Sequence, residues 1–307
     1  MANLLNQLSS IYPSIKGAVV AICLKVSKRP EFPPILGSGF IVREDGLIFT
    51  CDHVVKAIEK LVGIGGLPRQ EWPAEVMLFQ NIPGKGMGIV PMEIKGVILT
   101  QLFKPKGGWY GEDIPDIGII RADFKGLPTM KMASEVVINE GDMVAVSGFP
   151  MGENVLIAPG WLHQITPTLQ TGVVSAILPF PCPSPHAFLL DVMCKGGSSG
   201  SPVFNIETGE VLGMVYGGLP EKKIMRGESN TVLIYENASS LTLAIPSSFL
   251  KTMLARVDEV PGFKEHKVED QKDLQSWLKE VTESGEDILA PPRVPMLKKK
   301  VKTEDKE

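Results

Sequence analysis

The sequence predicts an all-β fold, built as two barrels or sandwiches with a small helix behind them. Three observations predict it. Apolar runs four to ten residues long, rich in Val, Ile, Leu and Phe, recur from GAVVAICLKV near the start to LTLAIP before residue 247. Each is bounded by Gly, Pro, Asp or Asn, and the 31 Gly and 25 Pro are spread along the chain, which is the rhythm of short strands joined by turns. A chain of 307 residues with 44% hydrophobic content buries a sizeable core, and so many short strands fit two closed units better than one.

The elements follow in order. GAVVAICLKV reads as a first strand rather than a signal peptide, because it is short, β-branched and preceded by no basic segment. SGFIVRE and GLIFTC flank an Asp-Gly turn at Asp45-Gly46 and form a hairpin. AEVMLFQ, GIVPMEIKGVIL, DIGIIRA, DMVAVSGF, GVVSAIL, AFLLDVMC, SPVFN, VLGMVYG, TVLIY and LTLAIP continue the strand series. HVVKAIEKL after Asp52 and PSSFLKTMLARV after Ile245 have helical character, the second opening on Pro246. Beyond residue 260 charge of both signs dominates. There Leu274, Trp277, Leu278 and Val281 fall at i, i+3, i+4 and i+7 of one amphipathic helix, docked on the body or on a partner. APPRVPMLKKKVKTEDKE reads as a disordered end. No internal repeat is visible.

Composition narrows the function. A net charge of −4 gives no reason to expect nucleic acid or an anionic membrane surface as partner. No run reaches the ~18 apolar residues of a spanning helix. Cys23, Cys51, Cys182 and Cys194 are widely spaced, which suits neither a metal knuckle nor a disulfide scaffold, although one Cys182–Cys194 bridge stays open. With no targeting segment legible, the expectation is a cytoplasmic protein.

Three segments carry chemistry. In Lys195-Gly196-Gly197-Ser198-Ser199-Gly200-Ser201-Pro202 a serine sits in a tight glycine turn. A weak nucleophile must be held exposed while backbone N–H groups converge on the oxygen that becomes negative, and glycine permits the turns that aim them. Ser199 is the candidate nucleophile because Gly197 and Gly200 bracket it, and the Gly197 and Ser199 amides are the candidate oxyanion donors. The second segment delivers His53 at the end of a strand, beside a short helix. The third, Asp113-Ile114-Pro115-Asp116-Ile117-Gly118, leads a carboxylate into an apolar strand. A partly buried carboxylate needs a partner, and an imidazole N–H is a suitable one. Asp52, next to the histidine, would favour the protonated ring if it lay near enough.

With these segments in view, the chain resembles the HtrA/DegP-like branch of the trypsin-like serine proteases. GSGFIV with DGLIFTCDHVV resembles the family's histidine segment, PDIGII its aspartate segment, and DVMCKGGSSGSPVFN with GEVLGMVYGG its serine loop. GDMVAVSGFPMG, TPTLQTGVVSAI and LTLAIPSSFLKTML resemble the opening and closing strands of its second barrel, all in the same order over residues 12–255. The resemblance implies two six-stranded antiparallel β-barrels with a C-terminal helix, and a Ser199–His53–Asp116 triad in the cleft between them. It divides the chain into a first barrel at 12–130, a second at 131–255, and a charged tail at 256–307 with one amphipathic helix. Ser198 and Ser201 depart from the family's usual serine loop, and the peptide-binding PDZ module common in the family is not read in this chain.

The activity implied is that of a serine endopeptidase acting on protein or peptide substrates through an acyl-enzyme, without metal or organic cofactor. Met193, Tyr216 and Gly217 are expected to line the pocket for the substrate side chain, which favours apolar, medium-sized groups because Met193 brings no acid. Trypsinogen-style activation is not expected, since Ser198 offers no carboxylate to a freed amine. A protease-fold binding or scaffold protein of weak turnover is the alternative reading, an esterase on the same triad a third, and homo-oligomer formation is left open.

Overall fold

In the computed structural model the apolar runs become strands that close into two antiparallel barrels. The structure describes residues 2–25, 34–62, 72–82, 86–99, 115–135, 137–150, 166–178, 186–226, 232–260 and 271–284. The first barrel uses β1 (Val19–Leu24), β2 (Ile35–Arg43), β3 (Leu47–Thr50), β4 (Ala74–Ile82), β5 (Gly86–Leu99) and β6 (Gly118–Ala122), closed in the order β1-β2-β3-β6-β5-β4. A two-residue strand, β7 (Phe124–Lys125), follows it. The second barrel uses β8 (Met143–Gly148), β9 (Thr168–Leu178), β10 (Ala187–Leu190), β11 (Pro202–Asn205), β12 (Val211–Arg226) and β13 (Val232–Pro246), and it too is closed. Read from β8, its order is β8-β9-β10-β13-β12-β11, the same cyclic order as the first barrel. The architecture is thus repeated where the sequence shows no repeat, because barrel closure constrains the pattern of apolar positions and not their identity.

The strands form where the sequence alternates or runs apolar between turn residues. β3 is buried at every position and β6 likewise, so both lie inside the molecule. Phe40, Phe49, Ile22, Ile41, Ile48 and Leu78 are buried on the strands of the first barrel, and Phe188, Leu190, Val203 and Val215 on those of the second. One apolar cluster spans the junction: Phe149, Phe204, Val211, Met214 and Ile245 of the second half pack with the first-barrel core. The connecting segment is pinned to both halves, through Met130 N–H to Ile41 O at 2.8 Å and Ala133 N–H to Val211 O at 3.0 Å.

Helix α2 (Asp52–Lys60) follows β3, and α3 (Ser247–Leu254) follows β13, as the sequence predicts. Helix α1 (Ala2–Lys16) was not expected, yet its apolar spacing at Leu4, Leu8, Ile11 and Ile15 is helical, and Leu8 and Ile15 are buried. It packs on the second barrel before the chain enters the first. Tyr12 Oη lies 3.1 Å from Ser147 Oγ and donates to Pro167 O at 3.1 Å, while Gln7 Nε2 donates to Glu207 O at 3.0 Å.

The tail makes the reverse crossing. β14 (Lys272–Asp273) pairs in parallel with β7, and α4 (Leu274–Ser284) sets Trp277 edge-on against Phe124 at 6.1 Å, so the amphipathic helix docks on the body. Gln271 Nε2 faces three carbonyl oxygens, Asp45 O at 2.8 Å, Ala122 O at 3.0 Å and Phe124 O at 3.3 Å. The residues read as a disordered end, from 290 onward, lie outside the described residues. Cys194 is a free thiol, so the bridge to Cys182, itself outside the described residues, is not formed.

Two outcomes follow for stability. Gln271→Ala removes the donor shared by those three carbonyls and lowers unfolding free energy by about 1–3 kcal/mol, read as a lower urea midpoint at unchanged m-value. Burial alone would raise the Asp45 carboxyl, but hydrogen bonds from Arg43 and Arg121 outweigh it and hold its pKa below the ordinary value. A depressed carboxyl stabilises the fold above its unfolded-state value of about 3.9, and that contribution disappears as pH falls through the lower folded value. The thermal midpoint should therefore drop below about pH 4, and by less in Asp45→Asn, in a scan from pH 6 to pH 2.

Candidate active site

His53 is the second residue of α2, delivered by the fully buried strand β3. A helix N-terminus leaves amides without partners, and Cys51, at the cap position, makes no side-chain capping bond. Asp116 supplies the missing acceptor from two residues ahead of β6. Its Oδ1 accepts the His53 backbone N–H at 2.9 Å, and its Oδ2 lies 2.5 Å from His53 Nδ1. One carboxylate therefore caps the helix and orients the ring. Because a carboxylate only accepts, Nδ1 carries the proton in this contact. The Asp116 side chain is 17% exposed and that of His53 51%, so the carboxylate is largely buried while the ring it anchors is half exposed. The Asp52 carboxylate is turned to Lys56 at 2.5 Å, where its charge is paired along the helix.

The serine loop folds as a braced turn. Ser198 N–H donates to Lys195 O at 2.9 Å, and Gly197 at the third position has φ 91°, the signature of a type II turn. Lys195 N–H donates in return to Ser198 Oγ at 3.2 Å. Ser201 N–H closes the next turn on Ser198 O at 3.0 Å. At Gly200 (φ 90°) a Cβ would stand 2.0 Å from Ser38 O, so a side chain there would push the loop off the first barrel. Among the described residues, the Gly197 and Ser199 N–H groups donate to no acceptor. Gly197 is buried, and a buried amide without acceptor calls for an explanation.

One oxygen ties the histidine and serine segments together. Val215 O, on β12, accepts the Gly200 N–H at 2.8 Å and the Cys51 Sγ–H at 3.3 Å. Gly200 follows Ser199, and Cys51 precedes His53 by two positions. A Cβ on Gly37 would touch both Ser199 O, at 3.1 Å, and the methyls of Val54, the residue after His53. The structure thus joins His53 to Asp116 and holds the Ser199 loop against the same segment. No hydrogen bond links Ser199 Oγ to the imidazole among the described residues.

Of the pocket candidates, Met193 is 47% exposed, and its backbone is clamped by one side chain, Gln170, which accepts its N–H at 3.1 Å and donates to its C=O at 3.2 Å. A Cβ on Gly217 would meet nothing within 4 Å, so β12 borders open space there. Tyr216 is half-buried against the core. Sequence reasoning gave Gln170, Ser38, Thr50 and Val215 no role; a polar Ser38 between two glycines in an apolar strand was the one visible signal among them.

Cys51, His53 and Asp116 bring ligand atoms within 4.8 Å of one another, close enough to hold a metal ion. The donors are already engaged within the protein, the ring with Asp116 and the thiol with Val215 O. Burial, with Asp116 adding to it, pushes the Cys51 thiol well above its ordinary pKa and keeps it a protonated donor. Burial also raises Cys194.

A profile of the trypsin-like peptidase domain matches residues 37–214, a span that contains His53, Asp116 and Ser199. The chain belongs to this family. Curated relatives include a probable periplasmic serine endoprotease, DegP-like, from Halomonas elongata, 27% identical over 180 residues, covering 58% of this chain and 28% of that protein. One of the same description from Pseudomonas putida strain F1 is 28% identical over 182 residues, again covering 58% of this chain and 28% of that protein. The chain spans 28% of the length of these relatives. A solved serine endoprotease from Yersinia pestis aligns with a TM-score of 0.49 at 18% identity, covering 82% of this chain and 65% of that one. The relatives' names overturn the expectation of a cytoplasmic protein, since they describe probable periplasmic enzymes. Among the described residues no helix is long and apolar enough to cross a membrane.

The thiol chemistry gives a direct outcome. At pH 8 Cys51 should resist iodoacetamide in the folded protein and react once the protein is denatured, as read by mass spectrometry of the peptide carrying it.

Proposed function

We propose that this peptidase-family chain is a serine endopeptidase in which Ser199 attacks, His53 acts as base and Asp116 orients the base. The observation that carries the reading is the pairing of His53 Nδ1 with Asp116 beside a serine loop whose two amides, at Gly197 and Ser199, have no described acceptor. Ser199 Oγ adds to the scissile carbonyl while its proton passes to His53 Nε2. The carbonyl oxygen becomes negative and rests on the two amides. His53 then protonates the leaving amine, and water repeats the sequence on the acyl-enzyme. Asp116 stabilises the imidazolium formed on the way. Binding a substrate in the groove brings Ser199 Oγ and the ring into hydrogen-bond contact, since such bonds are often loose until substrate arrives.

Residues 12–130 and 131–255 form the two halves of this unit, with 256–307 as the charged tail. The substrates are proteins or peptides, which the names of the DegP-like endoproteases support. Met193, Tyr216 and Gly217 border the pocket for the side chain preceding the cut, and the open space at Gly217 leaves room for an apolar group of medium size.

A fluorophosphonate probe should label the wild type at Ser199 and leave Ser199→Ala unlabelled. Labelling that persists in that variant removes Ser199 from the role, and a wild type that neither labels nor cleaves denatured casein leaves the binding-protein reading instead. Asp116→Asn should lower kcat by about four orders of magnitude, measured on a peptide substrate, because the ring loses its fixed tautomer.

A further inference from the structure

Nothing in the triad accounts for how the oxyanion turn keeps its place. The Gly197 and Ser199 N–H groups contribute only when the turn that carries them sits at the right position and angle in the groove. A group outside the turn has to fix that placement.

Ser38 is positioned to do so. It lies on β2 in the first barrel, is fully buried, and every polar atom it has is used. Its N–H donates to Ser199 O at 2.7 Å. Its Oγ–H donates to Gly197 O at 2.6 Å, and the same oxygen accepts the Phe149 N–H at 3.0 Å. Its C=O accepts from Thr50 Oγ1 at 2.8 Å, three positions before His53. The peptide unit between Gly197 and Ser198 is therefore bonded at both ends, its N–H to Lys195 O and its C=O to Ser38 Oγ. With that unit held and Ser199 O bonded to the Ser38 N–H, the place of the turn against the first barrel is fixed, while the φ of 91° at Gly197 sets the direction of its own N–H. The local fold explains why Ser38 can serve. β3 pairs with β2 only as far as Phe40–Phe49 before the chain turns into α2, which releases the Ser38 backbone to reach across to the other barrel.

We propose that Ser38 is a positioning residue that seats the oxyanion turn against the first barrel by holding the Gly197 carbonyl through its hydroxyl and the Ser199 carbonyl through its N–H. The inference rests on the serine peptidase reading of this site and deepens it. It gives the first barrel a part in aiming the second barrel's amides, separate from supplying His53 and Asp116.

The test compares wild type with Ser38→Ala and Ser38→Gly. The glycine variant keeps the backbone N–H to Ser199 O and adds no bulk, so it remains informative if the alanine variant does not fold. Each is assayed for kcat and KM on a peptide substrate and for inhibition by the matching peptide aldehyde. The aldehyde adds Ser199 Oγ to its carbonyl carbon, and the hemiacetal oxygen takes the oxyanion position. The expected result is a fall in kcat of about one to two orders of magnitude with KM within about threefold of wild type, and an aldehyde Ki raised by the same factor as kcat/KM falls. A purely structural role would lower the melting temperature without this parallel loss. Unchanged kcat in a folded variant overturns the proposal, as does a loss carried in KM or an aldehyde Ki that stays at the wild-type value. A wild type that fails to react with fluorophosphonate would refute the serine peptidase reading itself, an outcome seen before any variant is made.

Discussion

The Val215 carbonyl is the point on which this molecule turns. It accepts a backbone N–H from the serine loop and a thiol hydrogen from the segment ahead of His53, so a single oxygen of the second barrel sets the distance between groups more than 140 residues apart in sequence. Around it the other ties converge: Ser38 reaches the Gly197 and Ser199 carbonyls, Thr50 reaches Ser38, and the apolar cluster of Phe149, Phe204 and Met214 seals the junction from water. Hydrogen bonds in such a dry seam hold direction better than bonds at the surface, where water competes. The chemistry proposed for the groove needs angles of that quality, since amides contribute only when they already point at the charge that will form.

The carboxylate of Asp116 shows how economically the site is built. The helix that presents His53 begins without a capping side chain of its own, and Asp116 closes that gap while holding the ring. Helix start and ring orientation are thereby one structural event. Cys51 fits the same scheme. Its burial keeps the proton on sulfur, and a thiol that stays protonated is a dependable donor to Val215 O in spite of the weakness of S–H hydrogen bonds.

Much of this was legible in the sequence. The strand rhythm, the Asp-Gly hairpin, the two short helices and the amphipathic stretch around Trp277 all occupy the places their residue patterns indicate, because each rests on local chemistry: turn residues, periodicity, a proline at a helix start. Motif order singled out His53, Asp116 and Ser199, and the structure bonds the first two. What stayed hidden depends on partners distant in the chain. Ser38 reads as an ordinary small residue in GSGF until Gly197 and Phe149 are seen beside it, and Val215 takes part through a carbonyl that every residue has. The shared strand order of the two barrels leaves no trace in residue identity. Compartment was misjudged for a related reason, since an address is not a property of the packed domain.

The two ends of the described chain cross over. Helix α1 leans on the second barrel before the first has begun, and Gln271 returns from beyond the second barrel to the Asp45 turn of the first, 226 residues away. During synthesis the first barrel emerges with its Asp45 turn still uncovered and α1 without its seat. Helix α1 gains its seat once residues 147–207 have been made, and the Asp45 turn is covered only after Gln271 follows. The described body therefore closes on itself through contacts of very long sequence separation, the kind whose loop-closure entropy slows folding.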